Sequence, residues 1–434
     1  MSINLDIITF FKIITLAYIF SGVTSTIFIN PINAYLITDI SIILILFLSF
    51  KVKNINKTFY YVYLRSIHFG HIIFFFLLIF CIIGFLHVNE DSLFKSLIGI
   101  REYLVPFLFI PLGIHLANNL SYDQLIRSES FLTKIIYLLV VVIILQILNS
   151  NEFISIRFIE IFDPKSGSIH SWYDDSVNLY SSVFSSNKRA ARFIFFSSII
   201  LIYIRKKLGL KSKVIIFVSY LFIVSTGSRE TIVLYTLFIF YEIFILKKRA
   251  NINPFSFLLK FITLAIIFLV ILNYSKKNYF VDYIYSVSNI NSYIERIVNI
   301  YDPEILYYSV PTLGYGPGSY GQISRVSNFY DQLHNSINFK RGFRDSYFAK
   351  IYFEFGLFSS ILIFLIFLSI LKIYFKKSKN NFHKISKFII ISWLVFLIKG
   401  HPVFTDLYLS VFIAILVGSM MNSPEIKKDK IISL

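Results

Sequence analysis

The sequence predicts an all-α protein, a polytopic transmembrane helical bundle of about twelve spans forming one integral membrane domain over 1–434. Three observations predict it. Of 434 residues, 56% are apolar and 15% charged, against about 45–50% and about 25% in soluble chains, so too little polar surface remains to hold the chain in water. Apolar runs approaching the roughly 20 residues needed to cross a bilayer recur along the whole length. These runs lack the alternation of barrel strands, and only helices or closed barrels satisfy every backbone polar group in lipid.

In chain order the runs fall near 5–28, 34–50, 66–88, 96–117, 131–149, 190–204, 214–226, 230–246, 255–273, 347–375, 387–404 and 406–421. The first has almost no positive lead and no small-residue cleavage site, so it reads as a retained helix and not a signal peptide. Basic clusters mark the connections: Lys51, Lys53 and Lys57; Arg205, Lys206, Lys207, Lys211 and Lys213; Lys247, Lys248 and Arg249; Lys376, Lys377, Lys379, Lys384 and Lys387; and Lys427, Lys428 and Lys430. Each cluster follows an even-numbered run. Cytoplasmic loops carry the Lys/Arg excess, so both termini are expected in the cytoplasm. The same sorting accounts for most of the +18 formal charge as an orientation signal and removes nucleic acid as a partner.

Two long connections then face outward, about 150–189 and about 274–346, the second lying between the ninth and tenth spans. Loops longer than about 12–15 residues are usually functional or disordered. The larger one carries apolar residues at 281, 284, 287, 290, 294 and 297, the spacing of one helical stripe. A helix lying on the bilayer and a helix packed on the top of the bundle fit that stripe equally. Arg296 stands near its end, followed by the turn signal Asp302-Pro303.

Next comes Gly314-Tyr315-Gly316-Pro317-Gly318-Ser319-Tyr320-Gly321, which lacks the Gly-Lys-Ser/Thr of a phosphate-binding loop and alone reads as a flexible turn. His334, Asn335, Lys340, Arg341, Arg344 and Asp345 follow, just before the tenth run. In the smaller loop, Lys188, Arg189 and Arg192 stand where the chain re-enters the membrane. Outward basic residues oppose the orientation bias. A membrane-bound diphosphate is one reason for them, since arginine pairs bidentately with phosphate oxygens; headgroup anchoring is the other.

A third feature is the polar break Ser225-Thr226-Gly227-Ser228-Arg229-Glu230 between two apolar runs, which predicts a tight outer hairpin carrying Arg229, with Glu230 either functional or a neighbouring counter-charge. Arg101, Glu102, Lys399 and His401 are charged or titratable positions within spans and therefore functional candidates by default. His68 and His71 share a helix face without a nearby carboxylate. The lone Cys81 excludes a disulfide and a cysteine-based metal or redox site. No metal and no cofactor are expected.

Together these pieces resemble the O-antigen polymerase (Wzy) and O-antigen ligase superfamily of bacterial envelope glycosyltransferases. The resemblance rests on Thr226-Gly227-Ser228-Arg229 in the outer hairpin, Arg296 upstream of Gly314-Tyr315-Gly316-Pro317-Gly318, and Asp345-Ser346-Tyr347-Phe348 followed by Glu354-Phe355-Gly356. Ligases carry a His-Asn pair where this chain has Arg344-Asp345; His334-Asn335 lies ten residues earlier, out of register, which favours the polymerase branch.

The resemblance implies a metal-independent transferase at the outer face of the bacterial cytoplasmic membrane. Its substrate is an oligosaccharide repeat unit linked to undecaprenyl diphosphate, its other partners are membrane lipid and a chain-length regulator protein, and no nucleotide sugar is needed. Cations that stabilise the departing diphosphate act more strongly in the transition state than in the ground state; the candidates are Arg229, Arg296, Arg341 and Arg344, with Arg192 behind them. The acceptor hydroxyl needs a base, for which Asp345 stands first and His334 second. An O-antigen ligase is the nearest rival. A polysaccharide flippase is a further one, disfavoured because transporters tend to have repeated halves and short loops on both sides.

Overall fold

The structure is a computed structural model that describes residues 7–27, 40–45, 47–48, 109, 122–150, 182, 184, 187–242, 314, 316, 351–357 and 392. All the regular structure among these residues is helical, without a strand. The five long helices are α1 (Ile7–Ile27), α2 (Tyr122–Ser150), α3 (Asn187–Lys207), α4 (Lys213–Ser225) and α5 (Arg229–Phe240). They coincide with the first and the fifth to eighth apolar runs. Residues 40–45, 47–48 and 351–357 are also helical, within the second and tenth runs. The third, ninth and twelfth runs, and the stripe at 281–297, lie outside the described residues.

Helix α2 begins nine residues before its apolar run does. The lead-in Tyr122-Asp123-Gln124-Leu125-Ile126-Arg127-Ser128-Glu129-Ser130 is polar, but hydropathy reports the solvent and not the backbone. Asp123 in the first turn suits the positive end of the helix dipole. Over Tyr122–Leu148 this helix is long and apolar enough to cross a membrane. Its buried side is a stripe of Leu125, Leu132, Ile136, Leu139 and Ile143, whereas Ile126, Leu138, Val141 and Ile144 are exposed. An apolar stripe opposite the buried one is what a helix facing hydrocarbon requires and what a helix facing water avoids.

The chain divides into two compact units, one of Met1–Ile14, Thr38–Leu120 and Asn291–Leu434, the other of Thr15–Ile37 and Ser121–Ile290. At the centre of the second unit is α3, packed against α2, α4 and α5. Every residue from Ala190 to Ile199 is buried, which covers all faces of the helix. Its two central hydroxyls are satisfied locally: Ser197 Oγ donates to Phe193 O at 2.6 Å and Ser198 Oγ to Phe195 O at 3.0 Å. Tyr18 of α1 stacks on Phe193 at 5.1 Å, and Phe184 completes an aromatic triad with both. Between the helices the hydroxyls of Ser219 and Tyr235 are buried, with Ser198 and Ser219 the hydroxyls that face the Tyr235 phenol.

Polar contacts at the helix ends fix their directions. Arg205 near the end of α3 pairs with Glu129 near the start of α2 at 2.6 Å, so these helices run antiparallel. Arg192 near the start of α3 pairs with Glu230 at the start of α5, and Lys206 at the end of α3 pairs with Glu242 just beyond α5. Helices α3 and α5 are therefore parallel. The α3–α4 connection closes with Leu210 N–H donating to Arg205 O at 2.7 Å and Gly209 N–H to Lys206 O at 3.2 Å. This is a Schellman ending with Gly209 at φ 72° in its left-handed position.

At the other end, Gln146 of α2 clasps the chain before α3. Its amide Nε2 donates to Ser182 O at 3.0 Å and its Oε1 accepts from Ser182 N–H at 2.9 Å. Ser182 holds a left-handed φ of 53° and donates its hydroxyl to Leu139 O at 3.2 Å. Gln146→Leu strands a buried N–H and a buried C=O, at about 1–3 kcal/mol each, so its thermal unfolding midpoint in detergent should fall well below that of the parent. Ser182→Gly relieves about 1–2 kcal/mol of left-handed strain while losing a hydroxyl bond of similar size. Its midpoint should stay close to the parent value.

Candidate functional site

The polar break resolves into a three-residue turn, 226–228, between α4 and α5. Almost every hydroxyl in it is consumed by the turn itself. Ser225 Oγ donates to Phe222 O at 2.7 Å, Thr226 Oγ1 to Ile223 O at 2.6 Å, and Ser228 Oγ pairs with Thr231 Oγ1 at 2.9 Å. Gly227 at φ 64° lets the chain reverse, a conformation any side chain would resist. Ser228 is the N-cap by position, and its carbonyl accepts the first helical bond from Ile232 N–H at 2.9 Å, but its hydroxyl caps no backbone N–H.

Arg229 and Glu230 are then the first two residues of α5. Of Arg229 the backbone alone is described. Glu230 reaches across to α3, where its Oε2 lies 3.4 Å from Arg192 Nη2. The Arg192 side chain is 3% exposed and that of Glu230 18%, so the pair is largely removed from solvent. The sequence leaves Glu230 either functional or a counter-charge for its neighbour; the structure gives it a partner 38 residues away. A buried arginine in an apolar run demands a carboxylate, but which carboxylate depends on the helix packing and not on local spacing.

Because α3 and α5 are parallel, both helix starts lie at the same end of the second unit. Lys188 and Arg189 are in the first turn of α3, Arg192 is on its second, and Arg229 opens α5, with Glu230 the acidic residue between these two first turns. Helix starts carry a partial positive charge of their own. This end is electropositive, which suits an anion. Of the residues singled out in the sequence, Arg192 and Arg229 are brought together here. Arg296, His334, Arg341, Arg344 and Asp345 lie outside the described residues, as do Arg101, Glu102, Lys399 and His401.

In the first unit the glycine-rich segment and the Glu354-Phe355-Gly356 motif meet. Gly316 N–H donates to Glu354 O at 2.8 Å. Gly314, at φ 71°, lies so close that a Cβ there would sit 2.5 Å from Glu354 C, Glu354 O and Phe355 N. The contact is backbone on backbone, so no rotamer can relieve it. Gly316 and Gly356 also hold positive φ, 88° and 65°. Glu354 is fully buried. At its two described positions the segment read as a flexible turn is thus held by a backbone bond and a close approach to the helix that opens the tenth run.

No protein-family model matches this chain, and no curated protein or solved structure gives a significant match.

Gly314→Ala should add a backbone collision to the roughly 1–2 kcal/mol of left-handed strain and sharply reduce the yield of monodisperse protein. Gly209→Ala meets nothing within 4 Å and should cost only the strain. Size-exclusion profiles and unfolding midpoints of the two variants side by side check this.

Proposed function

We propose that the protein is a polytopic membrane glycosyltransferase of about twelve spans that polymerises lipid-linked oligosaccharide repeat units. It transfers the growing glycan from undecaprenyl diphosphate to a sugar hydroxyl of another repeat at the outer face of the bacterial cytoplasmic membrane. The observation that carries this reading is the electropositive end of the second unit, where Lys188, Arg189, Arg192 and Arg229 gather at two parallel helix starts. A leaving diphosphate gains negative charge as the anomeric C–O bond breaks, and fixed cations stabilise that charge. By the resemblance, Arg296, Arg341 and Arg344 of the second outer loop are further candidates for the diphosphate. Asp345 accepts the proton of the attacking hydroxyl, with His334 the alternative base.

The helix directions support the orientation. Arg205, Lys206, Glu129 and Glu242 pair at one end and Arg192 with Glu230 at the other, the same division that the basic clusters draw between cytoplasm and exterior. Reporter fusions check it: one after Leu210 should report a cytoplasmic site, and one after Asp163 an external site.

The activity is tested by the surface glycan profile of a deletion strain. Loss of the long ladder with one repeat still attached supports the polymerase. Carrier-linked polymer with nothing attached identifies a ligase, and carrier-linked single repeats held inside identify a flippase. In complementation at normal expression, Arg229→Ala and Arg344→Ala should each lower polymerisation by about 10²–10³-fold, as loss of a positioned donor does. Full ladders from both variants exclude the assignment.

A further inference from the structure

The turn before α5 and the ion pair behind it form one restraint system. Thr226 and Ser228 hold the turn through their hydroxyls, and Glu230 is tied to Arg192 on the enclosed helix α3. Two buried charges are a poor source of net stability: desolvation costs several kcal/mol per ion, and apolar residues of the same volume often do as well or better. What the pair supplies is a fixed setting. Successive helical residues are separated by about 100° around the axis, so holding residue 230 against α3 also fixes the sector from which residue 229 leaves the helix.

We infer that Arg192 and Glu230 are a positioning pair that sets Arg229 for the diphosphate, with Arg192 acting through Glu230 and not on the substrate. This inference rests on the reading of Arg229 given above. It moves Arg192 from the substrate to the scaffold, and it assigns to Glu230 a role that the sequence left open. Arg192 is 3% exposed at its side chain and engaged with a carboxylate, a poor state from which to meet a large lipid-linked substrate. Residue 229 stands at the turn itself.

A double-mutant cycle tests it in the purified full-length protein, with synthetic undecaprenyl-diphosphate-linked repeat units and chain extension as the readout. Arg229→Lys provides a partly active background. Glu230→Gln should lower kcat between about tenfold and a hundredfold, the range in which a misplaced group costs rate, with KM nearly unchanged. Arg192→Lys, which keeps the charge, should restore most of the rate relative to Arg192→Met. In the Arg229→Lys background, Glu230→Gln should add little further loss, because residues acting through one group are not additive.

Independent, multiplying losses overturn the positioning role while leaving Arg229 in place. Full activity of Arg229→Lys and Arg229→Ala overturns the parent reading and this inference with it. An unaltered rate for Glu230→Gln overturns the inference alone. Should Glu230→Gln fail to yield folded protein, Glu230→Asp keeps the charge and shortens the reach; its loss of rate must likewise vanish in the Arg229→Lys background, and a loss that persists there overturns the inference.

Discussion

A helix enclosed on every side has no place along its middle for an unpaired charge, and this constraint organises the second unit. In α3 the stretch from Phe193 to Leu201 carries no ionisable group, and its serines bond to their own helix. Charge is confined to the two ends, where Arg192 meets Glu230, Arg205 meets Glu129 and Lys206 meets Glu242. Each pair joins a different helix to α3 or the same helix at its opposite end. Burial makes a mispaired arrangement costly, because a lone ion in the interior is penalised far more than a pair. The ion pairs therefore select one set of helix directions, while apolar packing and the aromatic triad around Phe193 supply the cohesion.

Two short polar motifs separate into backbone chemistry and side-chain chemistry once their contacts are known. In Thr226-Gly227-Ser228-Arg229-Glu230 the first three residues build the turn, the glycine through its φ and the hydroxyls through bonds within the hairpin. The turn's own bonds leave the two charged residues to other work. In the segment around Gly314 the glycines are required by a different cause, the approach of two backbones with no space for a Cβ. Gly209 shows that left-handed φ and crowding are separable requirements, since it has the first without the second.

The positions of α1 and of α3 to α5 were legible because a run of apolar residues long enough to be buried or to meet lipid is also long enough to be helical. Their ends were less legible. Helix α2 continues through Asp123, Arg127 and Glu129 because nothing there breaks a helix, although hydropathy falls away. Gln146, Ser182, Glu129 and Glu242 gave no sequence signal, since their importance lies in partners that only packing brings near. The hairpin at 226–228 was legible because a polar break that short leaves room for nothing else. Arg192 was legible as an anomaly, a basic residue outside the clusters that the charge sorting assigns to the cytoplasm, but its partner was not. Arg296, His334, Arg341, Arg344 and Asp345 rest on sequence position and resemblance alone.

The charge sorting and the helix directions draw on different physics, and the second groups the ends of α2 to α5 without reference to a membrane. One counts lysines and arginines between apolar runs and reflects how loops are retained in the cytoplasm. The other follows carboxylate–cation pairs within a packed unit and would be the same with no membrane present. A flipped connection among α2 to α5 would separate Arg205 from Glu129 or Arg192 from Glu230, stranding charge in an apolar interior. The acidic partners matter as much as the basic ones here: at one end Glu129 and Glu242 engage Arg205 and Lys206, whereas at the other, among the described residues, Glu230 is the one carboxylate beside Lys188, Arg189, Arg192 and Arg229. The end with Arg205, Lys206, Lys207, Lys211 and Lys213 has a basic excess of the kind that cytoplasmic retention produces; the cations beside Glu230 are the ones that need another cause, and there the starts of two helices add their own positive potential.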